Sequence, residues 1–364
     1  WNMTLGAIRD TAIVSKVGNQ IGKHVNRLGV HINFAPDIDI NIDPRNPIIG
    51  NRSFGEDKEN VALKGIAFMK GMEKAGVLSS GKHFPGHGDT SVDSHKSLPT
   101  LDFTRQRLDS IELFPYKQLI KEGLSSVMVA HLNVPELEPE NKRPSSLSKN
   151  IITNVLKNQL NFEGLVFTDA LNMKGVSDFA NNGITELEAF LAGNDILLMP
   201  KDFIQSKETF IKAYQQGLLT EQRLAYSVKK ILMAKFKAGL NQYQPIDTEN
   251  LIEDLNGPEN DVIYEEAIES AITVIRDKLS LIGIKNLENK KIAYVKFGDG
   301  VKTPFLEALN KYAEVTQVNG SDIAFYTLIQ VQCRIQTFFA AAFVHLLAAA
   351  FCFRDRPELA GSAL

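Results

Sequence analysis

"VLSSGKHFPGHGDTSVDSHKSLPTL", residues 77–101, begins as a short apolar strand and continues as a loop of titratable and turn-forming residues. Pro85, Gly86 and Gly88 exclude a helix in this loop, because proline lacks the N–H donor and glycine loses the most backbone entropy on folding. A buried strand followed by polar residues is typical of parallel α/β proteins, in which the carboxyl ends of the strands carry the site.

The same pattern recurs along the chain. Short apolar runs predict five strands, at residues 30–34, 77–81, 126–130, 165–168 and 196–199. Amphipathic segments between or after them predict helices, at residues 58–74, 104–122, 148–159, 185–191 and 220–239. Strand and helix in alternation indicate a parallel sheet with crossover connections, which is either a doubly wound sheet or a (β/α)₈ barrel.

The positions of the polar residues favour the barrel. They follow several different strands, at Asp37 and Asp39, Lys82 and His83, His131, and Asp169. A barrel builds its site from many strand ends, whereas a doubly wound sheet concentrates it at one switch point, and no glycine-rich phosphate motif marks such a point. Five strands are too few for a closed barrel, so we expect a (β/α)₈-type barrel that lacks its first strands.

The pattern changes twice after the last predicted barrel helix. Residues 1–240 are predicted as the barrel, 241–258 as a Pro/Asn/Asp-rich linker, and 259–330 as the truncated start of an α/β sandwich domain. Residues 331–364 form an apolar tail of uncertain origin. Its segment 335–353 approaches the ~20 residues that cross a bilayer, but a buried helix or a foreign segment is also consistent with it, and membrane association is not expected unless the stretch is a real span.

Composition limits the function classes. The chain has 364 residues and a net charge of −3, without a basic stripe, so a nucleic-acid partner is not expected. Cys333 and Cys352 both lie near the C-terminus, which argues against a disulfide framework or a cysteine metal site. The chain begins at Trp1 and carries no signal-peptide pattern, so the sequence assigns no compartment.

Two places carry candidate chemistry. Asp93 and His95 are two residues apart, so the carboxylate could fix the tautomer of the imidazole and leave its other nitrogen to move a proton. His83, His87 and His95 match no metal-ligand spacing, and His87 is expected only to shape the loop. Asp169 directly follows an apolar strand, where it is suited to act either as a nucleophile or as a helix cap.

Three segments together resemble a known family. "NFAPDIDINIDPRNPIIGNRSFGED" (33–57), "KHFPGHGDTSVDSHKSLPTL" (82–101) and "VFTDALNM" (166–173) resemble glycoside hydrolase family 3, in its β-N-acetylglucosaminidase branch. The resemblance covers residues 4–240 and implies Asp169 as the nucleophile, His95 as the acid/base and Asp93 as its partner. It also implies that Arg52, Lys82 and His83 bind the sugar, with no metal and no cofactor.

The implied activity is a retaining removal of terminal β-linked N-acetylglucosamine from muropeptides or chitin-type oligosaccharides. The alternatives are a β-glucosidase or β-xylosidase of the same family, a silent sugar-binding fragment, or a metalloenzyme. A neutral histidine base repels an anion less than a carboxylate does, so phosphate is also considered as an acceptor in place of water. The family's first strands, with an acidic Gly-Gly segment, have no counterpart in this sequence.

Overall fold

A computed structural model describes residues 1–92, 97–140, 142–177, 179–180, 183–277, 282–290, 292–296 and 304–319. The chain divides into two compact units, Trp1–Thr273 and Val274–Leu364. Each unit is described by itself.

The first unit is built on a parallel sheet with strand order β1-β2-β3-β4. Its strands are β1 (Ile32–Asn33), β2 (Leu78–Phe84), β3 (Ser126–Val129) and β4 (Leu165–Thr168). Ile32 pairs with Leu78, Ser80 with Ser126, and Val127 with Val166. Ile196 then forms a single parallel bridge with Phe167 beyond β4. Successive parallel neighbours joined by helical crossovers form an arc of a (β/α) barrel, which confirms the predicted fold class.

The helices of the first unit are α1 (Asn2–Ala7), α2 (Thr11–Arg27), α3 (Lys58–Lys74), α4 (Arg105–Ser110), α5 (Phe114–Lys121), a π-helical segment (Asn150–Gln159), α6 (Lys174–Ser177), α7 (Ile184–Ala192), α8 (Phe203–Gln215), α9 (Glu221–Lys237), α10 (Leu251–Leu255) and α11 (Glu259–Ala271). Short 3₁₀ turns lie at Gly50–Arg52, Ser145–Leu147 and Leu240–Gln242.

Helices α2 and α3 show how the sequence sets the packing. Asp10 and Asp57 cap their N-termini by accepting backbone N–H groups. The two backbones meet at glycines: a Cβ on Gly18 would lie 2.4 Å from the Phe68 carbonyl oxygen, and one on Gly71 would lie 2.2 Å from that of Ser15. Glycine is therefore required here for close approach, and the core below the pair is apolar.

Several predicted elements match and several differ in extent. The predicted helix at 58–74 coincides with α3, whereas the one at 104–122 is divided into α4 and α5, with Pro115 in the first turn of α5. The predicted strand at 196–199 was wrong in length, because only Ile196 makes a strand bridge. Strand β2 runs three residues beyond its predicted end and includes Lys82 and His83.

The second unit contains a parallel pair of strands, β5 (Ile292–Lys296) and β6 (Val315–Asn319), and helix α12 (Pro304–Asn310). Within the first unit, residues of the predicted linker contact α2: Arg27 Nε donates to Asp254 at 2.7 Å and Arg27 Nη2 to the Glu249 carbonyl oxygen at 2.7 Å. The predicted domain boundaries stay a prediction.

The apolar tail, 331–364, and both cysteines lie outside the described residues. Among the helices that the structure describes, none combines the length and the apolar character needed to cross a bilayer. The candidate span at 335–353 is not part of that set.

Candidate active site

Three strand ends bring polar side chains to one edge of the sheet. Asp37 follows β1 and forms a parallel bridge with Lys82 at the end of β2, and Asp169 directly follows β4. Because the strands are parallel, their carboxyl ends share one side of the barrel. The structure therefore brings Lys82, His83 and Asp169 to the same side of the sheet, and the roles given to them stay predictions.

Asp39 fixes the end of strand β2. Its Oδ2 accepts from His83 Nδ1 at 2.7 Å and from the His83 backbone N–H at 3.1 Å, and its Oδ1 accepts from the His87 N–H at 2.6 Å. Burial lowers the pKa of His83 to about 4, so its ring is neutral at pH 7. A neutral ring that donates from Nδ1 keeps a lone pair on Nε2.

Arg52 uses that lone pair. Its Nη2 donates to His83 Nε2 at 3.2 Å, and its Nη1 donates to the Ile48 carbonyl oxygen at 3.2 Å. Arg52 ends the 3₁₀ turn Gly50–Arg52, and 37% of its side chain is exposed. The guanidinium thus lies at the border between the buried carboxylates and solvent.

Asp37 is the least satisfied group of the site. Its Oδ1 accepts from the Asp39 N–H at 3.2 Å, while its buried Oδ2 has no hydrogen-bond partner and lies 3.4 Å from Arg52 Nη2. Burial and the neighbouring Asp39 raise the pKa of Asp37 to about 7, against the opposing effects of His83, Arg52 and Lys82. Its charge therefore changes within the neutral pH range.

Asp169 is held by its own backbone surroundings. Its N–H donates to the Val129 carbonyl oxygen at 2.8 Å, and its Oδ1 accepts from the Ala170 N–H at 2.8 Å. Burial raises the pKa of Asp169, but His83, His131, that N–H and Lys82 bring it below its ordinary value. A carboxylate that is ionised at neutral pH is the form that a nucleophile requires.

His131 and Lys82 also belong to this edge of the sheet. The buried His131 contacts the Ala170 carbonyl oxygen through Nε2 at 3.0 Å and Ser146 Oγ through Nδ1 at 2.7 Å, and so braces the turn after Asp169. Lys82 is mostly buried, which lowers its pKa, although Asp37 and Asp169 act in the opposite direction. His131 follows the end of β3 and Lys82 lies near the end of β2, which is the signal that the sequence offers for both. For Lys82 the family resemblance was a second signal.

Hydrogen bonds and a close backbone contact hold the loop after β2 in place. His87 Nδ1 pairs with Thr90 Oγ1 at 2.8 Å, and Asn46 Nδ2 donates to the His87 carbonyl oxygen at 2.7 Å. A Cβ on Gly88 would lie 1.8 Å from the Ile40 carbonyl oxygen, so no other residue fits there. These contacts support the loop-shaping role expected for His87.

The predicted acid/base pair, Asp93 and His95, lies outside the described residues. Its assignment therefore stays a prediction. Sequence reasoning singled out neither the anchoring role of Asp39 nor the buried carboxyl pair that it forms with Asp37. Their i, i+2 spacing in an extended segment was the available signal, because such side chains point to the same side.

Within the described part of the chain, one group of side chains has the size of a metal site: ligand atoms of Asp37, Asp39 and His83 lie within 4.8 Å of one another. The donor set does not fit a dication, because His83 Nδ1 and Asp39 share a hydrogen bond and the cationic Arg52 lies against Asp37. Carboxylates placed among N–H donors and cations suit a hydroxylated ligand better.

Comparison with known proteins extends this description. The model of the glycosyl hydrolase family 3 N-terminal domain matches residues 1–234. Beta-hexosaminidase A of Pseudoalteromonas piscicida is 39% identical over 263 residues, which cover 66% of this chain and 44% of that protein.

Two solved structures are also similar. A glycoside hydrolase family 3 β-N-acetylglucosaminidase from Paenibacillus sp. str. FPU-7 is 31% identical, with a TM-score of 0.73 over 91% of this chain and 66% of that one. A β-glucoside phosphorylase, BglX, bound to 2FGlc is 25% identical, with a TM-score of 0.76 over 88% and 61%. The chain thus spans two thirds or less of the length of these relatives.

Proposed function

Because the chain belongs to glycosyl hydrolase family 3, we propose that it is part of a retaining glycosidase. This enzyme would release terminal β-linked N-acetylhexosamine, as in peptidoglycan recycling. The observation that carries the proposal is the ionised Asp169 beside Lys82 and His83 at the carboxyl ends of parallel strands. The names of the hexosaminidase from Pseudoalteromonas piscicida and of the Paenibacillus β-N-acetylglucosaminidase support the N-acetylated sugar.

The proposed reaction has two steps. An Asp169 oxygen attacks the anomeric carbon as the glycosidic C–O bond breaks, and protonated His95 gives its proton to the leaving oxygen. Neutral His95 then takes a proton from water, whose oxygen displaces Asp169 and restores the carboxylate. Lys82 and Arg52 donate to sugar hydroxyls or to the acetamido oxygen, and Asp93 orients the imidazole.

Phosphate is a second candidate acceptor for the glycosyl-enzyme. The similar BglX is named a β-glucoside phosphorylase, and a neutral histidine base repels an anion less than a carboxylate would. Attack by a phosphate oxygen in place of water would release a sugar 1-phosphate and return Asp169 to its ionised form. Product analysis with and without phosphate separates the two acceptors.

The experiment compares a chromogenic N-acetyl-β-glucosaminide with the matching β-glucoside. We expect selective cleavage of the first, and a loss of at least ~10³-fold in kcat/KM for Asp169→Asn, because removal of a nucleophile leaves only binding and electrostatic effects. Asp43→Asn is the matched control, since that carboxylate pairs with the exposed Arg45 at 3.0 Å.

A second variant separates the two chemical roles. His95→Ala should lose activity most strongly with poor leaving groups, which need protonation, and less with an activated aryl leaving group. Equal cleavage of both sugars, or full activity in Asp169→Asn, would overturn the proposed function.

A further inference from the structure

Four side chains of the site form a closed ring of contacts. Asp39 Oδ2 accepts from His83 Nδ1 at 2.7 Å, His83 Nε2 accepts from Arg52 Nη2 at 3.2 Å, and Arg52 Nη2 lies 3.4 Å from Asp37 Oδ2. The Asp39 N–H closes the ring by donating to Asp37 Oδ1 at 3.2 Å. The segment after β1, strand β2 and the 3₁₀ turn at Gly50–Arg52 all contribute to it.

The two carboxylates of the ring differ in the hydrogen bonds that they accept. Asp39 accepts three N–H groups from the β2 end, and removing it would detach His83 and His87. Asp37 is 3% exposed, yet its Oδ2 has no hydrogen-bond partner. A buried carboxylate oxygen without a partner costs stability, so Asp37 contributes little to holding the fold.

The surroundings of Arg52 explain what Asp37 does there. The other two contacts of the guanidinium are neutral acceptors, the Ile48 carbonyl oxygen and His83 Nε2. Asp37 is therefore the negative charge closest to it in the ring, at a distance typical of an ion pair. A guanidinium has five N–H donors, so those not used in the ring stay available to a ligand.

We propose that Asp37 is a positioning residue that holds Arg52 in its sugar-binding orientation through charge, while Asp39 acts through hydrogen bonds on the adjoining strand. This inference rests on the proposed function for the identity of the ligand, but not for the coupling between the two side chains. Arg52 is expected to be restrained when Asp37 is ionised and freer when Asp37 is protonated.

Ionisation of Asp37 makes this restraint depend on pH. The charged or titratable groups around it are Asp39 on the same segment, Lys82 and His83 on β2, Arg52, and the buried Tyr116. The pKa of Asp37 is raised to about 7, mainly by burial and Asp39. Above that value the carboxylate attracts Arg52, and below it the attraction is lost.

The experiment follows the Arg52 guanidinium by ¹⁵N NMR, with the signal assigned by its absence in Arg52→Lys. We expect slow Cζ–Nη rotation at pH 8 in the wild type, and faster rotation both in Asp37→Asn at pH 8 and in the wild type at pH 5.5. Asp43→Asn is the control, because it removes a carboxylate that pairs with a different arginine, the exposed Arg45.

Kinetics or sugar binding gives the second measurement. Asp37→Asn should raise KM, or the Kd for N-acetylglucosamine, by about tenfold, as expected for a lost charge-assisted contact. In the Arg52→Lys background the same substitution should have no further effect, which a merely structural role would not produce.

The two proposals fail separately. Absence of cleavage and of sugar binding would count against the proposed function, while the NMR comparison would still test the ring. Unchanged Arg52 rotation between pH 5.5 and pH 8 would overturn the role of Asp37, and this wild-type titration decides the matter even if Asp37→Asn does not fold.

Discussion

Two clusters of buried charge differ in how completely their hydrogen-bond donors and acceptors are paired. One lies at the amino end of strand β4, and the other lies after β1 and at the end of β2. At the amino end, Asp195 Oδ2 accepts from Lys230 Nζ at 2.6 Å and from the Val166 N–H at 3.0 Å, and its Oδ1 accepts from Ser227 Oγ at 2.5 Å. Lys157 Nζ lies 3.8 Å away. Every oxygen of the Asp195 carboxylate has a donor.

In the second cluster, after β1 and at the end of β2, the pairing is incomplete. Asp37 Oδ2 has no hydrogen-bond partner, and burial beside a second carboxylate raises the pKa of Asp37 to about 7. Donors that could satisfy it belong to Arg52, which is partly exposed.

The comparison teaches that burial of charge alone does not identify a site. Burial lowers the pKa of Lys157 to about 8, yet the Asp195 cluster joins α9 to β4 and supports the barrel. Incomplete pairing at the strand ends that face the ligand is the more informative feature. Substitutions of Asp195, Asp39 and Asp37 test this distinction, with a loss of stability at pH 7 that decreases in that order.

Asp195→Asn should destabilise the chain most, by about 3–5 kcal/mol, because it leaves Lys230 and Lys157 buried without their counter-charge. Chemical denaturation at pH 7 measures the loss. The loss of stability caused by Asp195→Asn should be smaller at pH 9.5, because the two lysines lose their charge more readily in the variant. The double variant Asp195→Asn/Lys230→Met is the control and should be more stable than the single one. A neutral effect of Asp195→Asn would remove the contrast between the two ends.

Asp39→Asn should have an intermediate effect, a loss of about 2–3 kcal/mol, because an amide cannot replace a carboxylate that accepts three N–H groups. The same measurement on Asp37→Asn provides the matched comparison two residues away, and that variant should lose much less. Equal losses in the two variants would contradict the division of roles within the ring.

Asp37→Asn should give the smallest loss of stability at pH 7, and its main effect should be a change in how stability depends on pH. The folded pKa of Asp37 is about 7 and its unfolded pKa is near 3.9. Between these values the folded state binds a proton that the unfolded state does not, so this group makes stability fall as pH rises from 4 to 7, by at most about 1.4 kcal/mol per pH unit.

Asp37→Asn removes that fall. The Tm of the variant minus that of the wild type should therefore increase with pH between 4 and 7 and level off above 8. His83 does not reverse the sign: its pKa, lowered mainly by burial, is held up by Asp37 and should fall further in the variant. A Tm difference that is constant with pH would show that Asp37 does not titrate in this range.

The sequence predicted individual residues of the site better than the hydrogen bonds and ion pairs that join them. Asp169, Lys82 and His83 follow or end apolar strands, and this pattern alone placed them at one edge of the sheet. Arg52 gives no such signal, because it lies in a short turn about twenty residues from the nearest strand, and only the family resemblance pointed to it. The spacing of Asp93 and His95 suggested a proton-transfer pair, and the family resemblance implied the acid/base role, which stays a prediction.

Residue patterns alone predicted the alternation of apolar strands with amphipathic helices, and with it a parallel barrel whose polar residues share one end. These are local properties, since periodicity and strand polarity are set by neighbouring residues. Long-range contacts decide three further features: the proton of His83 lies on the nitrogen that faces Asp39, Asp39 is fully hydrogen-bonded while Asp37 is not, and Arg52 reaches both Asp37 after β1 and His83 on β2. Those outcomes depend on burial and on partners far away in the chain, where desolvation sets both charge state and pairing.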